Sequence, residues 1–267
     1  MKIFVVNTNK KGEIKQMNQQ TLTRLKEMRL SAMKEEIERQ ETFGSTLELS
    51  FDERMTMIVD KQWERKQNNR LQRLIKNSGI RDTSAVLSDF IESEHREGLK
   101  NKLVQYASCS WISNHLNMIV TGATGTGKSF VASALSHEAC VQGFKVKYYR
   151  TTRLIKELNL AYANAKYERI LLELKKSDLL VLDDFGLEPL TQTAAHDLLE
   201  VIDDRYTYHK SILFVAQIPV KNWQTLFPDP TVADASLDRV AFNSIRINLK
   251  GSSMREQLGE KQLKNYK

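Results

Sequence analysis

Eight consecutive residues near the middle of the chain have the types and spacing of a phosphate-binding loop. They read Gly-Ala-Thr-Gly-Thr-Gly-Lys-Ser and match the pattern G-x-x-x-x-G-K-[ST]. Glycines let such a loop wrap closely, so that successive backbone N–H groups point at phosphate oxygens. We expect Lys128 to reach the β- and γ-phosphates of a nucleotide and the Ser129 hydroxyl to bind Mg²⁺. The predicted contact residues are Gly122, Thr124, Gly125, Thr126, Gly127, Lys128, Ser129 and Phe130.

A second candidate group follows an apolar stretch later in the chain. The run from Leu179 to Leu182 is fully apolar, as buried parallel strands are, and Asp183 and Asp184 come directly after it. A strand that ends in this way places its carboxylates at the carboxyl edge of a sheet, beside the phosphate loop. We expect Asp183 to hold Mg²⁺ through a water, and Asp184 to orient or deprotonate the attacking water. The two groups together predict hydrolysis of a nucleoside triphosphate.

Three further residues fit a hydrolysing site, each with a plainer alternative. Gln217 closes an apolar strand, where its amide would contact the γ-phosphate or hold the water, or would be an ordinary surface amide. Arg239 lies on a predicted helix, as an arginine finger for a neighbouring subunit's site or as a surface arginine paired with Asp238. Arg255 is a candidate for a second contact with phosphate, and an ordinary surface role is its alternative.

Strands that alternate with helices must position these residues. We predict strands at 118–120, 146–149, 179–182, 212–215 and 244–247. Helical patterns fill the intervals at 129–142, 152–163, 167–175 and 193–206. This alternation is typical of an α/β fold with a parallel sheet.

The region before this sheet shows helical patterns and no strand pattern. One helix is predicted from Leu22 to near Gly44, and a capping box at Ser50 and Glu53 opens another that runs to about Asn77. Shorter helices are predicted at 83–90 and 98–106, and the tryptophans are interpreted as packing residues. The predicted organisation is a flexible leader at 1–16, a helical interaction domain at 17–108, a nucleotide-binding core at 109–250 and a basic tail at 251–267.

Positive charge is concentrated in one short segment of the chain. The formal net charge is +7, and the segment from Lys61 to Arg81 holds seven basic residues and one acidic residue, Glu64. On a helix these basic side chains would form a broad face opposite Leu71, Leu74 and Ile75. The pattern fits either a solvated helix face or contact with the phosphates of a nucleic acid. The candidate DNA-contact residues are Lys61, Arg65, Lys66, Arg70, Arg73 and Lys76.

Composition excludes several other classes of protein. Cys109 and Cys140 are the only cysteines, too few for a disulfide scaffold or a zinc ribbon. No apolar run approaches the length of a membrane span, and the short run from Ile3 to Val6 lacks the features of a signal peptide. We therefore expect no membrane partner and a cytoplasmic location.

The combined motifs resemble the IstB-like branch of the AAA+ ATPases. The similarity rests on the phosphate loop, on the Leu-Leu-Val-Leu-Asp-Asp-Phe-Gly block at 179–186 and on the block at 229–239, followed by Leu-Lys-Gly-Ser-Ser-Met-Arg at 249–255. It covers roughly residues 17–258. The resemblance implies ATP and Mg²⁺ as cofactors and an ATP-dependent oligomer on duplex DNA with little sequence preference. It also implies a cognate transposase as partner, with the chain acting as that enzyme's helper.

The resemblance leaves two points open. DnaC-type helicase loaders share the same kind of core, so loading of a replicative helicase is the alternative function. Most AAA+ enzymes carry Asp-Glu at the strand end, whereas this chain has Asp183-Asp184, as IstB and DnaC relatives do. The shorter second carboxylate fits slow, timer-like hydrolysis. Few residues follow Arg255, so we expect the helical lid domain to be absent or minimal.

Overall fold

The structure, a computed structural model, describes residues 18–42, 48–92 and 97–254. The chain divides into two compact units, one ending at Arg70 and the other beginning at Leu71. This division falls within a long helix and lies earlier than the predicted domain boundary after residue 108. Residues 71–108 therefore belong to the compact unit that also contains the sheet.

The first unit is helical, as its sequence predicts. It contains α1 (Gln19–Glu27), α2 (Ser31–Thr42) and the first part of α3 (Phe51–Ser78). Leu22 and Leu25 of α1 and Ile37 of α2 form a small core with Ile58 of α3. The single helix expected from residue 22 to near 44 is wrong, because Arg29 adopts a left-handed conformation (φ 61°) and ends α1. This break lets both short helices bury their apolar sides.

The long helix α3 begins at the predicted capping box. The Ser50 backbone N–H and hydroxyl both donate to Glu53 Oε2 at 2.8 Å, and the Glu53 N–H donates back to Ser50 Oγ at 3.3 Å. Past the division at Arg70, its apolar side chains pack against the core of the second unit; these are Leu71, Leu74 and Ile75, which the sequence predicts only to lie opposite the basic face. The helix expected at 83–90 is reduced to a 3₁₀ turn, Leu87–Asp89.

The second unit is built on one parallel sheet. In the described part of the chain its strands are β1 (Asn117–Gly122), β2 (Val146–Arg150), β3 (Leu179–Phe185), β4 (Ser211–Ala216) and β5 (Ser244–Leu249). They lie in the order β2-β3-β4-β1-β5, and each neighbouring pair is parallel. The five predicted strands and the α/β fold class are confirmed. All five strands end at the same edge of the sheet, where ligands bind in open α/β folds.

Helices cover both faces of this sheet. They are α4 (Leu99–Tyr106), α5 (Ser110–Ser113), α6 (Lys128–Val141), α7 (Thr151–Ala163), α8 (Tyr167–Lys175), α9 (Gln192–Thr207) and α10 (Pro230–Ala241). One apolar core contains Leu135 of α6, and the core on the other face contains Leu158 of α7 and Leu198 of α9. Helices α6 to α9 lie within one residue of their predicted ends.

Two residues depart from expectations about the interior. Trp63 is 62% exposed, so its interpretation as a packing residue is wrong, whereas Trp111 and Trp223 are buried as predicted. Arg205 of α9 is buried, and its guanidinium donates to the backbone oxygens of Leu174 and Ser211 at 2.8 and 2.6 Å. Burial lowers the pKa of Arg205 to about 9.

No helix within the described ranges combines the length and apolarity needed to cross a membrane.

Candidate nucleotide-binding site

The phosphate loop joins β1 to α6 at the carboxyl edge of the sheet. Gly127 takes a left-handed conformation (φ 91°) as the N-cap of α6, and a Cβ there would meet no atom within 4 Å. At Gly122 a Cβ would collide with the backbone oxygen of Leu249. Glycine at position 127 thus supplies a left-handed conformation that other residues rarely adopt. Glycine at position 122 lets β5 approach the loop closely. Lys128, only 8% exposed, donates from Nζ to the Ala123 oxygen at 2.7 Å.

The first predicted carboxylate lies directly beside this loop. Ser129 Oγ donates to Asp183 Oδ1 at 3.1 Å, and the Asp184 N–H donates to the same oxygen at 2.9 Å. Tyr148 of β2 donates its hydroxyl to Asp183 Oδ2 at 2.8 Å. Burial, and then the charge of Asp183, raises the pKa of Tyr148 above its usual range, so its hydroxyl is a donor at neutral pH. Asp183 is fully buried and is held by three donors.

The second carboxylate occupies a different environment from the first. Asp184 is partly exposed and has φ 57°, a conformation that few residues other than Gly, Asn and Asp adopt readily. Arg150, the last residue of β2, places its Nε 3.7 Å from Asp184 Oδ2. Asp184 therefore faces solvent next to the phosphate loop, where a water could approach it.

Gln217 is brought to the phosphate loop from the end of β4. Thr124 Oγ1 donates to Gln217 Oε1 at 2.9 Å. The two side chains are 93 residues apart in the sequence. This contact places the Gln217 amide at the phosphate loop, which is the position it needs in order to contact a γ-phosphate.

An open cleft of about 430 Å³ lies over these groups. Its lining includes the loop from Thr124 to Phe130, together with Asp184 and Gln217. Sequence reasoning missed several other lining residues, although Met254 adjoins the predicted Arg255 and Arg150 directly follows the strand predicted at 146–149. Those missed are Arg81, Asp89, Phe90, Ile91, Arg150 and Met254. The sequence assigns Arg81 only to the basic segment from Lys61 to Arg81.

The structure places Arg239 away from this cleft. Its Nε donates to Asp203 Oδ1 of α9 at 2.6 Å, and its Nη1 donates to the Ala235 oxygen at 2.8 Å. The expected alternative partner, Asp238, is not the one observed. Arg239 instead lines a separate cleft with His115 and His209. Within one chain it does not line the nucleotide cleft. Arg255 lies outside the described residues.

The candidate DNA-contact residues all lie on α3. Arg65 is engaged by Glu35 of α2, with its Nη1 2.7 Å from Glu35 Oε1. This ion pair raises the pKa of Arg65 and lowers that of Glu35. The remaining five are exposed, and the division between the compact units separates Lys61, Lys66 and Arg70 from Arg73 and Lys76.

The donor set of the cleft suits a magnesium nucleotide. Hydroxyl and carboxylate oxygens, supplied here by Ser129 and Asp183, are the protein ligands that Mg²⁺ prefers. Within the described residues no cluster of three or more His, Cys, Asp or Glu side chains could hold a metal ion. A site of this kind completes its metal coordination with phosphate oxygens and water. The residues present therefore fit a nucleotide with a bound Mg²⁺.

A parallel sheet of this strand order, with a phosphate loop after β1 and an acid pair ending β3, defines a P-loop protein of the AAA+ type. The chain belongs to the family described as IstB-like ATP binding protein, whose model matches residues 23–262. Its resemblance to the IstB-like branch is thereby confirmed.

Similar proteins come from bacterial insertion sequences. The chain is 40% identical to the IS1162 protein of Pseudomonas fluorescens over 203 residues, 76% of this chain and 87% of that protein. It is 36% identical to the protein y4pL of Sinorhizobium fredii over 236 residues, 88% of this chain and 95% of the other. Both names describe putative ATP-binding proteins of insertion sequences.

Solved structures share the fold at low sequence identity. The replication initiator DnaA, bound to AMPPCP and single-stranded DNA, matches with a TM-score of 0.56 and 18% identity. That match covers 69% of this chain, which spans only 56% of the DnaA chain. The DnaC helicase loader matches with a TM-score of 0.53 and 18% identity, covering 62% of this chain and 97% of that one. These likenesses show the fold.

Proposed function

We propose that this protein hydrolyses ATP with Mg²⁺ and assembles as an ATP-bound oligomer on duplex DNA to assist the transposase of its insertion sequence. Hydrolysis releases the oligomer from the DNA. The observation that carries the proposal is that Ser129, Asp184 and Gln217 line one phosphate-loop cleft, with Ser129 bonded to the buried Asp183 behind it. The insertion-sequence relatives support the transposition context.

Each residue of the cleft has a separate task in hydrolysis. Lys128 contacts the β- and γ-phosphates, and Ser129 with Asp183 would hold Mg²⁺, which supplies positive charge against the phosphates. Asp184 accepts a proton from the attacking water or orients it. Gln217, held by Thr124, positions the same water or contacts the γ-phosphate. Hydrolysis by Asp184 is expected to be slow, because a shorter carboxylate places the water less well than glutamate.

Oligomer assembly would complete the site with an arginine from a neighbouring subunit. Arg239 is absent from the lining of its own chain's cleft but sits on the surface of α10. In this proposal it stabilises transition-state charge in the adjacent subunit's cleft. Lys128→Ala should abolish ATP-dependent assembly on DNA, which mass photometry with an ATP analogue and a duplex would detect.

Duplex DNA would contact the exposed basic residues of α3. Each lysine or arginine that neutralises a phosphate releases bound counterions, so its removal flattens the dependence of affinity on salt. The test variant replaces Lys66, Arg70 and Arg73 with alanine. A control of equal charge replaces Lys102, Lys166 and Lys221, which are exposed residues of the second unit.

Fluorescence anisotropy with a labelled duplex, over a series of KCl concentrations, measures the effect. The slope of log Kd against log salt should become shallower by about three in the α3 variant. The control variant should keep the wild-type slope. An equal change in both variants would place the DNA contact elsewhere.

Helicase loading is the competing function. A loader acts through a replicative helicase, so the wild-type protein would form no complex with duplex DNA under any nucleotide condition. Electron microscopy with an ATP analogue and duplex DNA separates the two functions. A ring or filament that encloses duplex supports the transposition helper.

A further inference from the structure

We propose that Tyr148 is a positioning residue for the metal site, because it fixes the orientation of the Asp183 carboxylate. This inference rests on the proposed function insofar as that function assigns Mg²⁺ to Ser129 and Asp183. Tyr148 belongs to neither the phosphate loop nor the acidic strand end, and the sequence patterns of those two motifs do not include it.

The argument begins with the two oxygens of Asp183. Oδ2 accepts the hydrogen bond from Tyr148 at 2.8 Å, whereas Oδ1 accepts from Ser129 Oγ at 3.1 Å. Tyr148 thus bonds to Oδ2, and Oδ1 stays bonded to Ser129, the other side chain assigned to the metal. The carboxylate is fully buried, so water does not compete for these positions.

Strand register explains how Tyr148 reaches this carboxylate. In the pairing of β2 with β3, Tyr148 lies opposite Val181, and Arg150 lies opposite Asp183. Tyr148 and Asp183 are therefore diagonal neighbours, a separation that a long aromatic side chain can span. Thr151, just after β2, donates to the Asp183 backbone oxygen at 3.0 Å. The end of β2 thus holds both the side chain and the backbone of Asp183.

A fixed carboxylate matters because metal affinity depends on the orientation of the ligand. Hydrogen bonds to a ligating side chain hold it in the binding rotamer, and their removal typically weakens metal affinity 10- to 100-fold. Tyr148 is the side-chain donor to Asp183 Oδ2, whereas Ser129 and the Asp184 N–H both donate to Oδ1, so loss of the Tyr148 hydroxyl removes the hydrogen bond that holds Oδ2. The carboxylate could then rotate or recruit a water, at a cost to metal binding.

Tyr148→Phe tests this inference, because it removes one hydroxyl and keeps the ring. The neighbouring Tyr149→Phe is a matched control. Tyr149 follows on the same strand, but its ring packs against the core on the opposite face of the sheet. Both variants lose one phenolic oxygen from β2, and only the first loses a bond to Asp183.

The readout is binding of a fluorescent ATP analogue, titrated with Mn²⁺ or Mg²⁺ from a metal-free start. We expect Tyr148→Phe to bind the analogue without metal as the wild type does. Its apparent Kd for the metal should rise about 10-fold, and Tyr149→Phe should match the wild type. A merely structural role would weaken metal-free binding as well, and thermal unfolding of both variants checks for this.

Three results would overturn the inference in distinguishable ways. If Tyr148→Phe keeps the wild-type metal affinity, Tyr148 does not position Asp183, and the proposed ATPase function stands. If the wild type itself shows no effect of metal on nucleotide binding, both the Mg²⁺ assignment and this inference fail. A loss of metal-free binding in Tyr148→Phe also contradicts it, since the hydroxyl would then support the fold of the cleft.

Discussion

The Thr124 hydroxyl donates a hydrogen bond to the side-chain oxygen of Gln217 at 2.9 Å, joining the phosphate loop to the end of β4. With its oxygen engaged in this way, the Gln217 amide nitrogen remains available to a phosphate or a water in the cleft. The contact ties the position of one candidate catalytic group to the conformation of the loop that binds nucleotide.

Replacing Gln217 with leucine should slow ATP hydrolysis by about 100-fold while nucleotide affinity changes little. The physical reason is loss of a preorganised donor where transition-state charge develops. Gln224→Leu is the control, because Gln224 is an exposed glutamine of the same unit that bonds to Asp234. Single-turnover hydrolysis measures the effect, and equal rates in both variants would remove Gln217 from the mechanism.

Asp184→Asn should preserve ATP binding and reduce hydrolysis by about 10² to 10⁴. Asparagine tolerates the left-handed backbone at this position, so the change removes the charge without straining the loop. Glu188→Gln, an exposed carboxylate shortly after β3, should hydrolyse ATP normally. Phosphate release under saturating ATP separates the two variants. Undiminished turnover in Asp184→Asn would assign the proton to another group.

Arg239→Ala should retain nucleotide binding and lose about 10³-fold in hydrolysis, since an arginine finger contributes on that scale. Asp203→Asn removes the observed ion-pair partner and should leave hydrolysis intact. Mixing Arg239→Ala with Asp184→Asn should restore part of the activity, because some interfaces then contain an intact acid and an intact arginine. Normal ATPase activity of Arg239→Ala alone would exclude the finger.

The two cysteines should resist alkylation in the native protein. Burial raises the pKa of Cys140 to about 11 and that of Cys109 to about 12. The reactive form is the thiolate, so at pH 8 at most about one Cys140 in a thousand is reactive. Iodoacetamide should modify both residues rapidly only after denaturant unfolds the second unit. Mass spectrometry over time checks this, and fast native labelling would contradict the buried placement.

Local sequence patterns predict the helices and strands of this protein well, but they do not predict its long-range contacts. The apolar run Leu179–Leu182 followed by two aspartates identifies β3 and its functional end, because burial and parallel pairing favour that composition. Tyr148 and Arg150 could not be assigned to the site in the same way. Their roles depend on the register between β2 and β3, and no local pattern encodes that register.

The break between α1 and α2 at Arg29 could not be predicted from the sequence either. Arginine is a good helix former, so nothing in its intrinsic preference indicates that Arg29 ends α1 in a left-handed conformation. The small core of the first unit, with Leu25 and Ile37, stabilises that break. Conversely, the exposure of Trp63 shows that a helical apolar spacing does not guarantee a buried partner.

The pairing of β1 has a consequence for how the newly made chain folds. This strand carries the phosphate loop, yet its two neighbours are β4 and β5, as in the pairs Met118↔Leu213 and Asn117↔Ser244. A ribosome must therefore synthesise most of the second unit before β1 finds either partner. Contacts so distant in sequence form slowly, and partly made chains expose unpaired strand edges. The phosphate loop therefore gains its neighbouring strands only late in synthesis.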